Sequence, residues 1–175
     1  DFEKTSKTRI SVLFFGALLA RAKNFKMPPP GGDKIGVRPI SVQLNALEKL
    51  GAKIERHDNI YEVSCKKLVG KEIVLEEFSV TATESLMLAA VLAEGTTVIK
   101  GAAAEPHVQD LGEMLIKMGA NVEGLGTHAI KIKGVEKLHG CTHSIIPDPI
   151  ETGTFIIIGA LTPGRIKVTG VDLSH

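Results

Sequence analysis

Three apolar stretches stand out along the chain: Ile10 to Ala20, Ser85 to Ala93 and Phe155 to Leu161. Each is apolar on nearly every helical face, so each predicts a helix buried all round. Two further segments carry apolar residues on one helical face only. These are Leu44, Leu47 and Leu50, then Val108, Leu111, Leu115 and Met118. Both stop at a glycine, Gly51 or Gly119, where a helix end expects one. Short β-branched runs bounded by glycine predict strands at Thr96 to Ile99 and Arg165 to Val168. Closing strands are predicted at Ile60 to Cys65 and Glu72 to Leu75, and again at Ala129 to Lys133 and Ser144 to Ile146.

These elements repeat. Leu47 to Ile54 returns as Leu115 to Val122, an offset of 68, and Leu68 to Gly70 returns as Leu138 to Gly140, an offset of 70. Glu94 to Gly101 returns as Pro163 to Gly170, an offset of 69. Such a period is one supersecondary unit, longer than a solenoid repeat. Each unit reads βαβαββ. The expected fold is α/β (α+β), with helices packed inside and sheets outside.

Composition narrows the function classes. The chain has 175 residues, enough for a sizeable core, and 21 Lys plus Arg against 20 Asp plus Glu. That balance gives no bulk field for nucleic acid or a membrane surface. Aromatics are 4 % and Trp is absent, which argues against stacking platforms for single strands. Cys65 and Cys141 form no disulfide framework, so a reducing cytoplasm is the expected compartment. The first 22 residues imitate a signal peptide, with Lys4, Lys7 and Arg9 before an apolar run. Asp1 and Glu3 within the basic region, and the recurrence of this segment type further on, argue for a core helix instead.

Candidate chemistry concentrates in Pro28 to Pro39. Gly31, Gly32 and Gly36 allow close backbone approach or positive φ, and the prolines stiffen the entry. Asp33 and Arg38 put an acid and a fork-shaped anion donor five residues apart on a bendable loop, the pattern of a lid over an anionic substrate. An ordinary surface turn with Asp33 as turn former explains the same residues. Likewise Arg9 and Arg38 read equally as surface cations, and Glu105 before Pro106 as a charge favouring a helix start. His139, Cys141 and His143 alternate, so on a strand they would share one face. With no fourth ligand, and Val69, Lys71 and Ile73 in the matching places of the preceding unit, no metal site is expected.

The loop PPPGGDKIGVRP (28–39), the segments 78–106 and 111–127, and IIPDPIETGTF (145–155) together resemble the enolpyruvyl transferases acting on UDP-N-acetylglucosamine. The resemblance runs from about Lys7 to the end. It implies an inside-out α/β barrel of repeated βαβαββ units. It also implies transfer of enolpyruvyl from phosphoenolpyruvate to the 3-hydroxyl of UDP-N-acetylglucosamine, the first committed step of peptidoglycan synthesis, in the bacterial cytoplasm and without a cofactor. By the same resemblance, residues 1–146 are most of one barrel domain, and 147–175 are the crossover and the start of a second. The site lies between two domains, so much of it falls outside this chain.

The resemblance also implies residue roles. Asp33 stands where most members have a cysteine, the acid that protonates the phosphoenolpyruvate methylene and the group fosfomycin alkylates. Arg38 and Arg9 match arginines on the anionic substrates. Pro39, Ile40, Ser41 and Val42, and the stretch Glu77, Phe78, Ser79 and Val80, match segments lining the nucleotide. Ser41 replaces a usual Asp, and Glu77 a Lys common in bacteria. Glu105 matches an acid of the family pattern, His107 departs from a second one, and Asp148 and Glu151 match the crossover, where Pro149 replaces a common Arg. Two other readings compete: 5-enolpyruvylshikimate-3-phosphate synthase on the same fold, whose Met-Arg-x-Arg-Pro this loop lacks, and a non-catalytic nucleotide-sugar-binding module.

Overall fold

In the computed structural model, residues 2–33 and 35–172 are described; Lys34, inside the Pro/Gly-rich loop, lies outside them, as do Asp1 and 173–175. A short helix α1 (Phe2–Thr5) and a 3-10 turn (Arg9–Val12) lead into α2 (Leu13–Ala22). Strand β1 (Asn24–Met27) follows, then the loop, α3 (Ser41–Leu50) and a hairpin of β2 (Lys53–His57) and β3 (Ile60–Ser64). Strand β4 (Glu72–Val74) precedes α4 (Val80–Ala90), β5 (Thr96–Lys100) and α5 (Pro106–Lys117). A second hairpin, β6 (Asn121–Glu123) and β7 (Ala129–Lys133), and a last helix α6 (Pro149–Leu161) complete the order.

Helix α4 sits at the centre. Its residues Ala82 to Met87, Ala89 and Ala90 are all buried, as its unstriped sequence requires. Helices α2, α3 and α5 pack around it, and two sheets cover the outside. One sheet runs β1-β3-β2 and is wholly antiparallel. The other runs β4-β5-β7-β6, with β4 parallel to β5. Alternation sets which strand face turns inward: Ile130 and Ile132 of β7 are buried while Ala129, Lys131 and Lys133 face out.

Contact between α2 and α4 depends on Gly16. A Cβ there would lie 2.0 Å from the Ser85 carbonyl oxygen. The two backbones therefore touch with no side chain between them. Both amphipathic helices end as expected, with Gly51 and Gly119 at φ of 121° and 98°.

Several expectations are corrected. The pairs that close each unit are β2–β3 and β6–β7, at equivalent places after the two amphipathic helices; β4 instead opens the next unit by joining β5. Ser144 to Ile146 is not a strand, and neither is Arg165 to Val168. One cause explains both: a strand such as β4 exists because β5 of the same unit pairs with it, and the corresponding pair one repeat later, 144–146 and 165–168, does not form. The central helix begins at Val80, five residues before the predicted start, because Ser79 caps it there. Finally, neither the 10–20 segment nor α6 is buried all round: α2 buries only Phe15, Gly16 and Leu19 while Ile10 and Phe14 are exposed, and in α6 no residue is buried and Phe155, Ile156, Ile157, Ile158 and Leu161 are exposed.

Two outcomes follow. Gly16→Ala should destabilise the chain by about 2 kcal/mol, since neither backbone can yield without parting the helices; urea unfolding measures it, and an unchanged midpoint contradicts the packing. Truncation after Pro147 should raise solubility and leave the melting temperature of the remainder unchanged, because α6 contributes exposed apolar surface and no core. A lowered melting temperature would put α6 in the core.

Candidate functional site

The helix N-termini meet at one end of the molecule. Gln43 near the start of α3 donates from Nε2 to Thr81 Oγ1 near the start of α4, at 2.5 Å. Thr83 Oγ1 accepts from the Ala103 amide at 2.9 Å, tying α4 to the loop that enters α5. Arg9, at the head of the 3-10 turn, donates from Nη2 to the Pro39 carbonyl, 3.1 Å away, just before α3. Parallel packing of these helices is what sends all their N-termini to the same pole.

The Pro/Gly-rich loop lies over that pole. A Cβ on Gly31 would lie 1.8 Å from the Ser6 carbonyl oxygen, so only glycine lets the loop settle there. Gly32, at φ of 97°, rests on the Arg9 side chain. Beyond it the loop stands off: Asp33, Ile35, Val37 and Arg38 are exposed, Val37 to 96 %.

The cationic side of the pole consists of Arg9, Arg38 and the start of α3. Partial burial, and then the positive charge of Arg38, hold Arg9 below the ordinary arginine pKa. Two arginine charges near enough to disfavour one another are a place an anion relieves. Ile40, the residue before α3, is buried and offers no side-chain cap. The first amides of α3, beginning at the exposed Ser41 and half-buried Val42, are thus open to an anion.

The second predicted stretch differs. Ser79 spends its hydroxyl on α4, accepting from the Ala82 amide at 3.3 Å. Phe78 is exposed and meets His128 edge-on, ring centroids 4.8 Å apart. Glu77 is exposed and Val80 half-buried at the first position of α4. The pole therefore brings together Arg9, Pro39, Ile40, Ser41, Val42, Ser79, Val80 and Glu105, with Asp33 and Arg38 on the loop. Glu105 precedes α5 but makes no side-chain cap bond.

Sequence reasoning missed Glu84. It lies on α4 and is 8 % exposed. Burial, reinforced by the charge of Glu105, pushes its carboxyl up to about 7. A single acid inside an otherwise apolar helix was the available signal. His139, Cys141 and His143 turn to separate partners, the Gly140 carbonyl, the Met114 carbonyl and Asp110. Among the described residues no three His, Cys, Asp or Glu side chains gather as metal ligands.

At the opposite pole a cleft of about 400 Å³ is lined by Lys23, Cys65, Lys66, Lys67, Leu68, Glu94 and neighbours. Helix C-termini of α2 and α4 face it, and lysines there offset their carbonyl ends. Lys67 pairs with Glu94, and burial pushes the Cys65 thiol up, away from the reactive thiolate.

The raised Glu84 carboxyl has a stability consequence. Its folded pKa near 7 lies above the ordinary value of 4.5, so the folded state holds the proton more tightly. Its stabilising contribution is complete below about pH 4.5 and is lost as pH rises through about 7, a change on the order of 3 kcal/mol. Urea midpoints of the chain should fall between pH 5 and pH 8, and Glu84→Gln should flatten that slope. Identical slopes for both would contradict the buried acid.

Comparison with known proteins agrees with this architecture. The family model described as EPSP synthase (3-phosphoshikimate 1-carboxyvinyltransferase) matches residues 2–175. The UDP-N-acetylglucosamine 1-carboxyvinyltransferase of Koribacter versatilis is 49% identical over 175 residues, which are 100% of this chain and 40% of that protein. The protein of the same name from Treponema denticola is 50% identical over 167 residues, 95% of this chain and 39% of its own length. The chain thus spans about 40% of the curated relatives it matches. Among solved structures, the enolpyruvyl transferase NikO of Streptomyces tendae superposes with a TM-score of 0.70 at 23% identity, over 85% of this chain and 36% of that one. An EPSP synthase from Acinetobacter baumannii gives 0.69 at 22%, over 95% and 38%. These structures share the fold. With its full described length matched, the chain belongs to the EPSP synthase (3-phosphoshikimate 1-carboxyvinyltransferase) family of enolpyruvyl transferases.

Proposed function

We propose that the protein containing this chain transfers the enolpyruvyl group of phosphoenolpyruvate to the 3-hydroxyl of UDP-N-acetylglucosamine, releasing phosphate. The observation that carries the reading is the cationic pole: Arg9, Arg38 and the uncapped start of α3, held under a glycine-hinged loop. Both substrates are anions, and this is an anion site. The names of the relatives at 45% to 50% identity favour the nucleotide sugar over a shikimate phosphate.

The chemistry assigns roles as follows. Arg9 and Arg38 hold the carboxylate and phosphate charges, with amides of α3 completing the cradle. Pro39 to Val42 and Glu77 to Val80 line the nucleotide. Asp33 on the loop gives a proton to the methylene carbon of phosphoenolpyruvate, which makes its C2 electrophilic toward the sugar hydroxyl. The hydroxyl oxygen bonds to C2 and its proton passes to the phosphate group; the C2–O bond to phosphate then breaks, phosphate leaving with the electron pair, and the methyl carbon returns a proton to the Asp33 carboxylate. Loop closure keeps water from this centre. Residues 1–146 form most of one domain in this reading, and 147–175 lead to a second that completes the site. The setting is the bacterial cytoplasm; among the described residues no helix is long and apolar enough to cross a membrane.

Calorimetric titration separates the readings. UDP-N-acetylglucosamine should bind the chain and shikimate 3-phosphate should not, with Arg38→Ala weakening binding at least tenfold, about 1.4 kcal/mol. Preference for the shikimate ligand would favour EPSP synthase chemistry. The chain alone should release negligible phosphate from the substrate pair; a rate of about 1 to 100 per second, ordinary for an enzyme, would contradict the shared site.

Asp33 gives a sharper test in the full-length protein. A carboxylate offers no thiolate to open an epoxide, so fosfomycin should not inactivate it, whereas Asp33→Cys should be inactivated with time. Asp33→Asn should lose nearly all turnover. Full activity in Asp33→Asn would reduce Asp33 to a turn residue.

A further inference from the structure

The segment after the second hairpin runs back along α5. The His139 amide donates to the Met118 carbonyl at 2.9 Å, and the His139 ring lies over Gly119. Two residues on, Cys141 Sγ reaches the Met114 carbonyl at 3.9 Å, a weak contact. His143 then meets two side chains of α5 at once. Its Nε2 is 2.9 Å from Asp110 Oδ1, and its Nδ1 is 3.1 Å from Lys117 Nζ. The His143 and Asp110 side chains are nearly closed to solvent, 5% and 12% exposed. Past this point the chain leaves the helix: a cleft of about 340 Å³ opens between His107 and Asp110 on one side and residues 145–150 on the other.

Both contacts are satisfied together by only one state of the ring. An ammonium has no lone pair, so Lys117 must donate and Nδ1 must accept. Asp110 accepts, so the proton sits on Nε2. The ring is then a neutral bridge between a carboxylate and an ammonium, and its direction is fixed by chemistry.

We propose that Asp110, His143 and Lys117 form a clamp that seats the connecting segment on α5 and confines bending to Ser144–Pro147, the stretch between the clamp and the start of α6. Asp148 bounds that stretch on the far side by capping α6, accepting from the Ile150 and Glu151 amides at 2.8 and 3.2 Å. Because the segment runs from the C-terminal toward the N-terminal end of α5, the clamp delivers Asp148 and Glu151 to the end of the molecule where Glu105 lies. His143 is a positioning residue, and its role stands whether or not the proposed reaction is correct.

Nuclear magnetic resonance on the 175-residue chain tests this. Nitrogen-15 shifts of the His143 ring should show Nε2 protonated and Nδ1 bare. Backbone order parameters should stay near a rigid value of about 0.85 through His143 and fall only from Ser144. His143→Ala should move that fall back to Gly140 while leaving α5 rigid. Lys117→Met should leave the Nε2 proton in place and change the Nδ1 shift. A proton on Nδ1, or order parameters already low at Cys141 to His143, overturns the clamp. So does a His143→Ala profile identical to the parent chain.

Discussion

The requirement that α4 be covered on every side organises the whole molecule. Its sequence offers no face to water, so α2, α3 and α5 must surround it and the sheets must lie outside them. Close approach is possible because Gly16 lets α2 rest on the backbone of α4 at Ser85. Parallel packing around one buried helix then gathers N-termini at one pole and C-termini at the other. The candidate site is a consequence of that arrangement more than of any single motif.

The pole is chemically divided. On one side, Arg9 and Arg38 crowd two positive charges beside amides that no side chain caps. On the other, Glu84 and Glu105 crowd two carboxyls, one of them buried. Like charges brought together on folding cost stability, and such places are where ligands and protons bind. The loop above adds exposed Ile35 and Val37, apolar surface that closing over a substrate would cover.

Much of this was legible in the sequence. The repeat of amphipathic helix and following strand, α3-β2 and α5-β6, the helix ends at Gly51 and Gly119, and the unstriped central helix translate directly into structure, because each follows from local chemistry or from periodicity. Arg9 beside Pro39 and Arg38 was legible only through the family resemblance; spacing alone does not bring residues 9 and 39 together. Strand pairing was misread because it is not local. Ser144 to Ile146 has the composition of β4 and lacks its partner, and His143 fastens the chain to α5 instead. Glu84 escapes a sequence reading because the unbroken apolar run begins at Ser85, one residue past the acid.

The central claim is that anions bind where the helices begin. Amide chemical-shift mapping of the chain with UDP-N-acetylglucosamine tests it directly. Shifts concentrated on Arg9, Ile40 to Val42, Ser79 and Val80 are the predicted result. Shifts concentrated at the opposite pole, on Cys65 to Leu68 and Glu94, would contradict it.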